Sequence, residues 1–264
     1  MPELPEVDVL VRGLRDLSGL RISAVEVLDL RLNLPVGDIV GAWIKSIERH
    51  GKYIVMNLLG QGALIVHLRM SGRLTRMRTP REEQYTRMIL HLDTGEAIYF
   101  INPRRLGTVT YSSEGFTCSL GLEPLSAEFT AEALADLAAA SRAPIKLFLL
   151  DQQKLAGVGN IYAAESLWRA RIDPRRPANT LTLAEVTALH HSIVDVLNEA
   201  LEQMGTSFRT SVSDYRDANG RDGQFQNHLA IYGRQGDPCE RCGGTIERIV
   251  QGGRSTCLCP QCQH

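Results

Sequence analysis

Apolar and polar positions change rhythm twice along this chain. Val7, Leu10, Leu14 and Leu17 recur at helical spacing and predict one helix after the N-terminus. Short β-rich runs follow at residues 22–28, 43–48, 53–59, 63–68, 88–92, 97–101 and 108–111. Turn signals such as Gly60-Gln61-Gly62 and Asp93-Thr94-Gly95 separate them at intervals that fit a sandwich or barrel. At residues 122–129 the period switches, and helices are predicted over 131–140, 145–150, 161–170 and 183–204. Thr182 and Glu185 have the spacing of a capping box at the last of these. From Gly205 to Gln224 the chain is polar and glycine-rich, and irregular stretches of that length usually serve as lids or mobile segments. Residues 243–258 then read as a β-hairpin with Gly252-Gly253 at its turn.

These rhythms predict an α+β multidomain protein. The expected division is an N-terminal β-sandwich domain with flanking helices over 1–122, a helical domain over 123–225, and a small C-terminal hairpin domain over 226–264. There is no internal repeat. No apolar run reaches the roughly 18 residues that would suggest a membrane span, and the Met-Pro-Glu start lacks the basic-then-apolar signature of a secretory signal. A cytoplasmic location is therefore expected.

Net charge changes the picture little. The 264 residues sum to −1 at neutral pH, so no global basic field points to nucleic acid. Arginines nevertheless cluster locally: Arg69, Arg73, Arg76, Arg78 and Arg81 in one stretch, Arg104 and Arg105 in another, and Arg169, Arg171, Arg175 and Arg176 in a third. Such runs are commonly solvated surface, so any phosphate-binding face must be local.

Cysteine spacing says more. Cys239-x2-Cys242 and Cys259-x2-Cys262 flank the predicted hairpin, the arrangement of a structural zinc site with four thiolates. One zinc ion would replace a core too small to fold alone. Two disulfides are the alternative, which a reducing compartment disfavours. Cys257, in the adjoining strand, reads as a bystander with a competing ligand as the alternative, and Cys118 as a buried small apolar residue.

Two further stretches carry candidate chemistry. Pro2 follows the initiator Met, whose removal a small second residue favours. A terminal proline then presents a secondary amine whose proton leaves near pH 8, and such an amine can attack electrophilic carbon. Glu3 and Glu6 would lie within one helical turn of it, in position for proton transfer. The plainer reading is that Pro2 and Pro5 open a helix. In Gly157-Val158-Gly159-Asn160, two glycines ahead of a predicted helix can leave N–H groups open to an anion, or can serve packing alone.

Taken together, Pro2-Glu3-Leu4-Pro5-Glu6-Val7, Ala156-Gly157-Val158-Gly159-Asn160-Ile161-Tyr162-Ala163 and the ending Gly253-Arg254-Ser255-Thr256 with Cys259-Pro260-Gln261-Cys262-Gln263 resemble the formamidopyrimidine-DNA glycosylase family. His67-Leu68-Arg69-Met70-Ser71-Gly72 and Asn102-Pro103-Arg104-Arg105-Leu106-Gly107 resemble further motifs of that family, and the likeness runs end to end in order. It implies a β-sandwich, a helix–two-turn–helix domain and a zinc finger, with damaged duplex DNA bound in a cleft. It implies excision of oxidised purines such as 8-oxoguanine and formamidopyrimidines, followed by strand cleavage through β,δ-elimination.

By the same resemblance Pro2 is the nucleophile, Glu3 the general acid/base, Glu6 a support for the intermediate, and Lys52 a phosphate contact that assists elimination. Asn160, Arg254 and Lys146 would contact phosphates, with Arg254 also serving δ-elimination. His67 is a further DNA contact. Met70, Arg104 and Leu106 would fill the space left by the extruded base. Leu106 departs from the usual Phe, Asn102 stands where Asp is common, and Tyr85 replaces a DNA-contacting His. The segment 210–224 corresponds to the loop that closes over the flipped base. A monomer associated with the nucleoid is expected. Two rivals stay open: the sister branch resembling endonuclease VIII, which prefers oxidised pyrimidines, and a catalytically dead zinc-finger DNA-binding protein. Leu4 and the long loop favour the purine enzyme over the first, and intact Pro2, Glu3 and Lys52 speak against the second.

Overall fold

A computed structural model describes residues 2–60, 62–208 and 214–264. The chain forms two compact units, one of residues 1–118 with 201–226 and one of residues 119–200 with 227–264. Neither unit is one continuous stretch of sequence. Residues 201–226 return to the N-terminal unit, and residues 227–264 pack with the helices.

The first unit opens with helix α1 (Leu4–Arg12), followed by strand β1 (Ile22–Val27), the short helix α2 (Val36–Ile39), β2 (Ile44–His50), β3 (Tyr53–Leu58) and β4 (Ala63–His67). Strands β5 (Arg73–Met77), β6 (Thr86–Leu92), β7 (Ala97–Ile101) and β8 (Thr108–Ser112) complete it. They form two antiparallel sheets, β1-β6-β7-β5 and β2-β3-β4-β8. Alternating residues such as Met88, Leu90 and Leu92 of one sheet and Ile54, Met56 and Leu58 of the other bury into a single core, the sandwich that the period-two runs predict. Val7, Leu10 and Val11 of α1 join the same core.

Two local departures have physical causes. The expected single N-terminal helix stops at Arg12 and resumes as a 3-10 turn at Arg15–Leu17. Gly13 sits at the break, where a Cβ would lie 3.1 Å from the Ala218 methyl, so close approach of residues 214–222 occupies that side. Strand β5 was not expected, because Arg73 and Arg76 break up its apolar alternation. Its register against β7 is regular all the same.

The second unit contains α3 (Ala131–Ala139), α4 (Ile145–Leu150), α5 (Asn160–Arg169) and α6 (Leu183–Glu202), whose last residues pass into the first unit. The capping box forms as spaced: Thr182 N donates to Glu185 Oε2 at 2.7 Å, and Glu185 N donates to Thr182 Oγ1 at 3.3 Å. A hairpin of β9 (Glu247–Gln251) and β10 (Arg254–Leu258) follows. Gly252 and Gly253 both have positive φ, at 54° and 72°, as a tight two-residue hairpin turn requires. Ile246, Cys257 and Cys259 of this region pack on Ala164 and Trp168 of α5. None of the described helices is long and apolar enough to cross a membrane.

Candidate functional site

In the first unit, the candidate chemistry gathers at the start of α1. Pro2, Glu3 and Glu6 are all buried, Glu3 at 2% and Glu6 at 1% exposure. Glu3 is the N-cap and forms a reciprocal capping box with Glu6, whose Oε2 accepts from Glu3 N at 2.8 Å. The other oxygen, Oε1, accepts from Thr206 N at 2.8 Å. Residues 205–206 thus clamp the N-terminal turn. Gly205 is required there: its φ is +82°, and a Cβ would lie 2.9 Å from Glu6 Oε1. Behind it, Ser207 Oγ donates to Tyr215 O at 2.7 Å and accepts from Gly223 N at 2.9 Å. Burial, with the Glu6 and Asp217 charges beside it, pushes the Tyr215 phenol well above its ordinary range.

Lys52 lies buried in the β2–β3 turn, 7% exposed. His67, at the end of β4, is also buried, and its pKa is lowered to about 4 by burial and by the Arg69 and Lys52 charges. Arg69 N donates to His67 Nδ1 at 3.0 Å, so the ring presents an unprotonated Nδ1 there. Tyr53 packs edge-on against the same ring.

Met70, Arg104 and Leu106 stand on two adjoining loops and are exposed, Met70 at 49% and Leu106 at 48%. Asn102 joins these loops: its Nδ2 donates to Gly107 O at 3.0 Å, and its Oδ1 accepts from Ser71 Oγ at 3.5 Å. An aspartate at 102 could not donate to Gly107, so the amide suits this arrangement. Arg69 and Arg105 hold positive φ, 50° and 54°, the kind of backbone strain that clusters at functional loops. Of the segment 210–224, residues 210–213 fall outside the described residues. Asp217 organises the remainder, its Oδ1 accepting from Asn219 N and Arg221 N.

In the second unit, Arg254 is exposed at the start of β10, and Asn160 and Lys146 converge on the next residue. Asn160 Nδ2 donates to Ser255 O at 3.1 Å, while Lys146 Nζ donates to Ser255 O at 2.9 Å and to Thr256 Oγ1 at 2.6 Å. Lys146 is fully buried, so its ammonium sits beneath the strand that carries Arg254 instead of facing solvent. The glycine turn before α5 is braced by Gln152, whose Oε1 accepts from Gly157 N and whose Nε2 donates to Val158 O, both at 2.9 Å. The Gly157 N–H is therefore already satisfied.

Sequence reasoning missed Glu165. It is fully buried on α5, and its carboxylate accepts from Ala230 N, Ile231 N and Tyr232 N at 2.8–3.0 Å. Burial raises its pKa against those three donors. Its one sequence signal is an acid in the middle of the largely apolar stretch 161–168 of α5.

Cys239, Cys242, Cys259 and Cys262 bring their sulfurs within 4.8 Å of one another. Cys239–Cys262 and Cys242–Cys259 are 4.0 and 3.5 Å apart. A tetrahedral ion with Zn–S bonds of about 2.3 Å needs sulfurs about 3.8 Å apart. The donor set therefore fits one structural zinc ion. Cys257 faces the packed side of β10 outside this cluster, as expected. Cys118 is a correction: it is exposed, because it lies in irregular chain past β8 and not in the sandwich core.

The N-terminal domain model of formamidopyrimidine-DNA glycosylase matches residues 1–109, its H2TH domain model residues 120–212, and a zinc finger found in FPG and IleRS residues 236–264. The formamidopyrimidine-DNA glycosylase of Chloroflexus aurantiacus is 42% identical over the whole of this chain and 98% of its own length. That of Gluconobacter oxydans is 43% identical over the full length of both. The crystal structure of the MutM (Fpg) protein from Thermus thermophilus superposes with a TM-score of 0.90 at 38% identity, covering 99% of this chain and 98% of that one. A complex of the Lactococcus lactis Fpg with DNA containing an abasic site gives 0.88 at 32% identity, covering 99% of each chain.

Proposed function

The chain belongs to the formamidopyrimidine-DNA glycosylase family, and from that premise we propose that it excises oxidised purines from duplex DNA and then cuts the strand. The observation that carries this reading is the clamped N-terminal turn, in which Glu3 and Glu6 are buried beside Pro2 with the Glu6 carboxylate tied to Thr206. A helix that merely began with proline would need no second segment gripping its capping acid.

The proposed steps follow from these positions. Removal of Met1 frees the Pro2 amine, which attacks C1′ of the damaged nucleotide. The C1′–N bond breaks and the base leaves with a proton. Glu3 protonates O4′ as the sugar ring opens, leaving an iminium between Pro2 and C1′. The iminium acidifies the C2′ proton; its loss breaks the C3′–O bond, and a second elimination breaks the C5′–O bond. Water then hydrolyses the iminium, which frees the Pro2 amine and releases the unsaturated sugar remnant as an aldehyde, leaving a one-nucleotide gap with phosphate at both ends. Glu6 holds the turn and supports the cationic intermediate. Lys52 contacts phosphate and assists the first elimination, while its charge helps keep His67, a further DNA contact, neutral.

Met70, Arg104 and Leu106 stand exposed for insertion into the vacated duplex. Extruding the base costs a few kcal/mol, less for a damaged pair. Asn160 and Arg254 contact the flanking phosphates, and Arg254 serves the second elimination. Lys146 supports that contact from beneath, through Ser255 and Thr256. A zinc ion on the four cysteines supplies a structural cross-link and no chemistry.

The test is cleavage of duplexes bearing 8-oxoguanine, a formamidopyrimidine or an oxidised pyrimidine. Preference for the first two, with phosphate at both ends of the gap, is expected. Preference for the pyrimidine, or binding without cleavage, would overturn the reading.

A further inference from the structure

The outer face of the β1-β6-β7-β5 sheet carries a concave site whose residues have no assigned part in the glycosylase reading, although Arg216 belongs to the segment matched to the loop over the flipped base. Arg73, Thr75 and Met77 of β5 line a cavity of about 530 Å³, with Arg78, Arg81 and Arg216 around it. Arg73 is only 8% exposed, and its Nε is buried with no hydrogen-bond partner. Among the described residues no carboxylate lies within ion-pair distance of it, although Glu83 also lines the cavity, 4.0 Å from Arg81. Burial and the Arg216 charge both lower the Arg73 pKa, and Glu83 offsets them in part. A buried cation without a partner is costly, and most folds pair it or replace it with an apolar side chain.

Arg216 approaches from the 214–222 segment. Its Nε donates to Asp222 Oδ1 at 3.2 Å and its side chain is 53% exposed, which leaves donors to spare. The Ala218 carbonyl accepts from Arg76 N at 2.8 Å, fixing this segment along β5. Two guanidinium forks thus face one cavity from two chain segments. A single fork satisfies a flat carboxylate, whereas a tetrahedral oxyanion can take donors from both sides.

We propose that this cavity binds a phosphate group, held by Arg73 at its base and Arg216 at its mouth, with Arg78 and Arg81 at the rim. The phosphate belongs either to a free ion or to the backbone of bound DNA. In both cases it ties the 214–222 segment to β5, independently of the chemistry at Pro2.

The experiment titrates inorganic phosphate and pyrophosphate into the full-length zinc-loaded protein by calorimetry, and measures duplex affinity across a salt series. Wild type is compared with Arg73→Met and Arg216→Leu. Each variant should weaken phosphate at least tenfold and abolish the rise in Tm that phosphate gives the wild type. Arg73→Met should itself raise the phosphate-free Tm, because it removes a buried unpaired charge. A DNA source adds a fall of about one in the salt slope of duplex affinity in each variant; a free-ion source leaves that slope unchanged. Phosphate affinity within twofold of wild type together with an unchanged salt slope in the two variants would overturn the proposal. So would a lower Tm in Arg73→Met without any change in phosphate binding. Should Arg73→Met fail to fold, Arg216→Leu decides alone, and unchanged phosphate affinity there rejects the site.

Discussion

The backbone N–H of Thr206 donates to Glu6 Oε1 at 2.8 Å across 200 residues of sequence. This bond ties the turn that carries Pro2 and Glu3 to the chain emerging from α6. Gly205→Ala strikes it directly, since the new methyl would press on Glu6 at a backbone angle that side chains rarely adopt. The variant should lose about 1–3 kcal/mol of stability and at least tenfold in lesion excision. Chemical denaturation and single-turnover kinetics check both, and wild-type turnover in a folded Gly205→Ala would contradict the role given to this clamp.

His67 makes stability depend on pH. Its folded pKa of about 4 lies below the unfolded value near 6.5, so the unfolded chain binds the extra proton. The stabilisation is complete above pH 6.5 and is lost as pH falls from there to 4. The loss should reach roughly 3 kcal/mol at most. His67→Gln should flatten that part of the stability profile relative to wild type. Parallel profiles for the two proteins would show that the ring titrates normally.

Zinc should hold the hairpin that presents Arg254. Chelation, or Cys259→Ser, should release about one metal ion per chain and abolish duplex binding. The near-UV signal of Trp168, which packs on this region, should change at the same time. A metal content of zero in the active protein would refute the four-thiolate site.

Leu106 is 48% exposed, and the family resemblance puts a Phe wedge at its position. An aliphatic wedge lacks base stacking worth roughly 1–3 kcal/mol per base. Leu106→Phe should therefore speed lesion search several-fold in a pre-steady-state assay with excess undamaged DNA. No change in search time would mean that the wedge acts by shape alone.

Much of this was legible in the sequence because local chemistry determined it. The strands of the sandwich declare themselves by alternation, the hairpin by its paired glycines and cysteines, and the last helix by Thr182 and Glu185. What stayed hidden depends on distant partners. Gly13 closes α1 at a place where a side chain would press on Ala218, and β5 escapes notice because its arginines interrupt the apolar rhythm. Nothing in the sequence shows that Lys146 is buried beneath β10, where its ammonium donates to Ser255 O and Thr256 Oγ1. Glu165 shows nothing in sequence of the three N–H groups it caps 65 to 67 residues away.

The most direct measurement is borohydride trapping on a duplex containing 8-oxoguanine, followed by peptide mapping of the adduct. The account predicts a reduced cross-link on the N-terminal peptide, beginning at Pro2, and its loss when Met1 is retained. A cross-link at a lysine elsewhere, or efficient excision by protein whose intact mass still includes Met1, would contradict it.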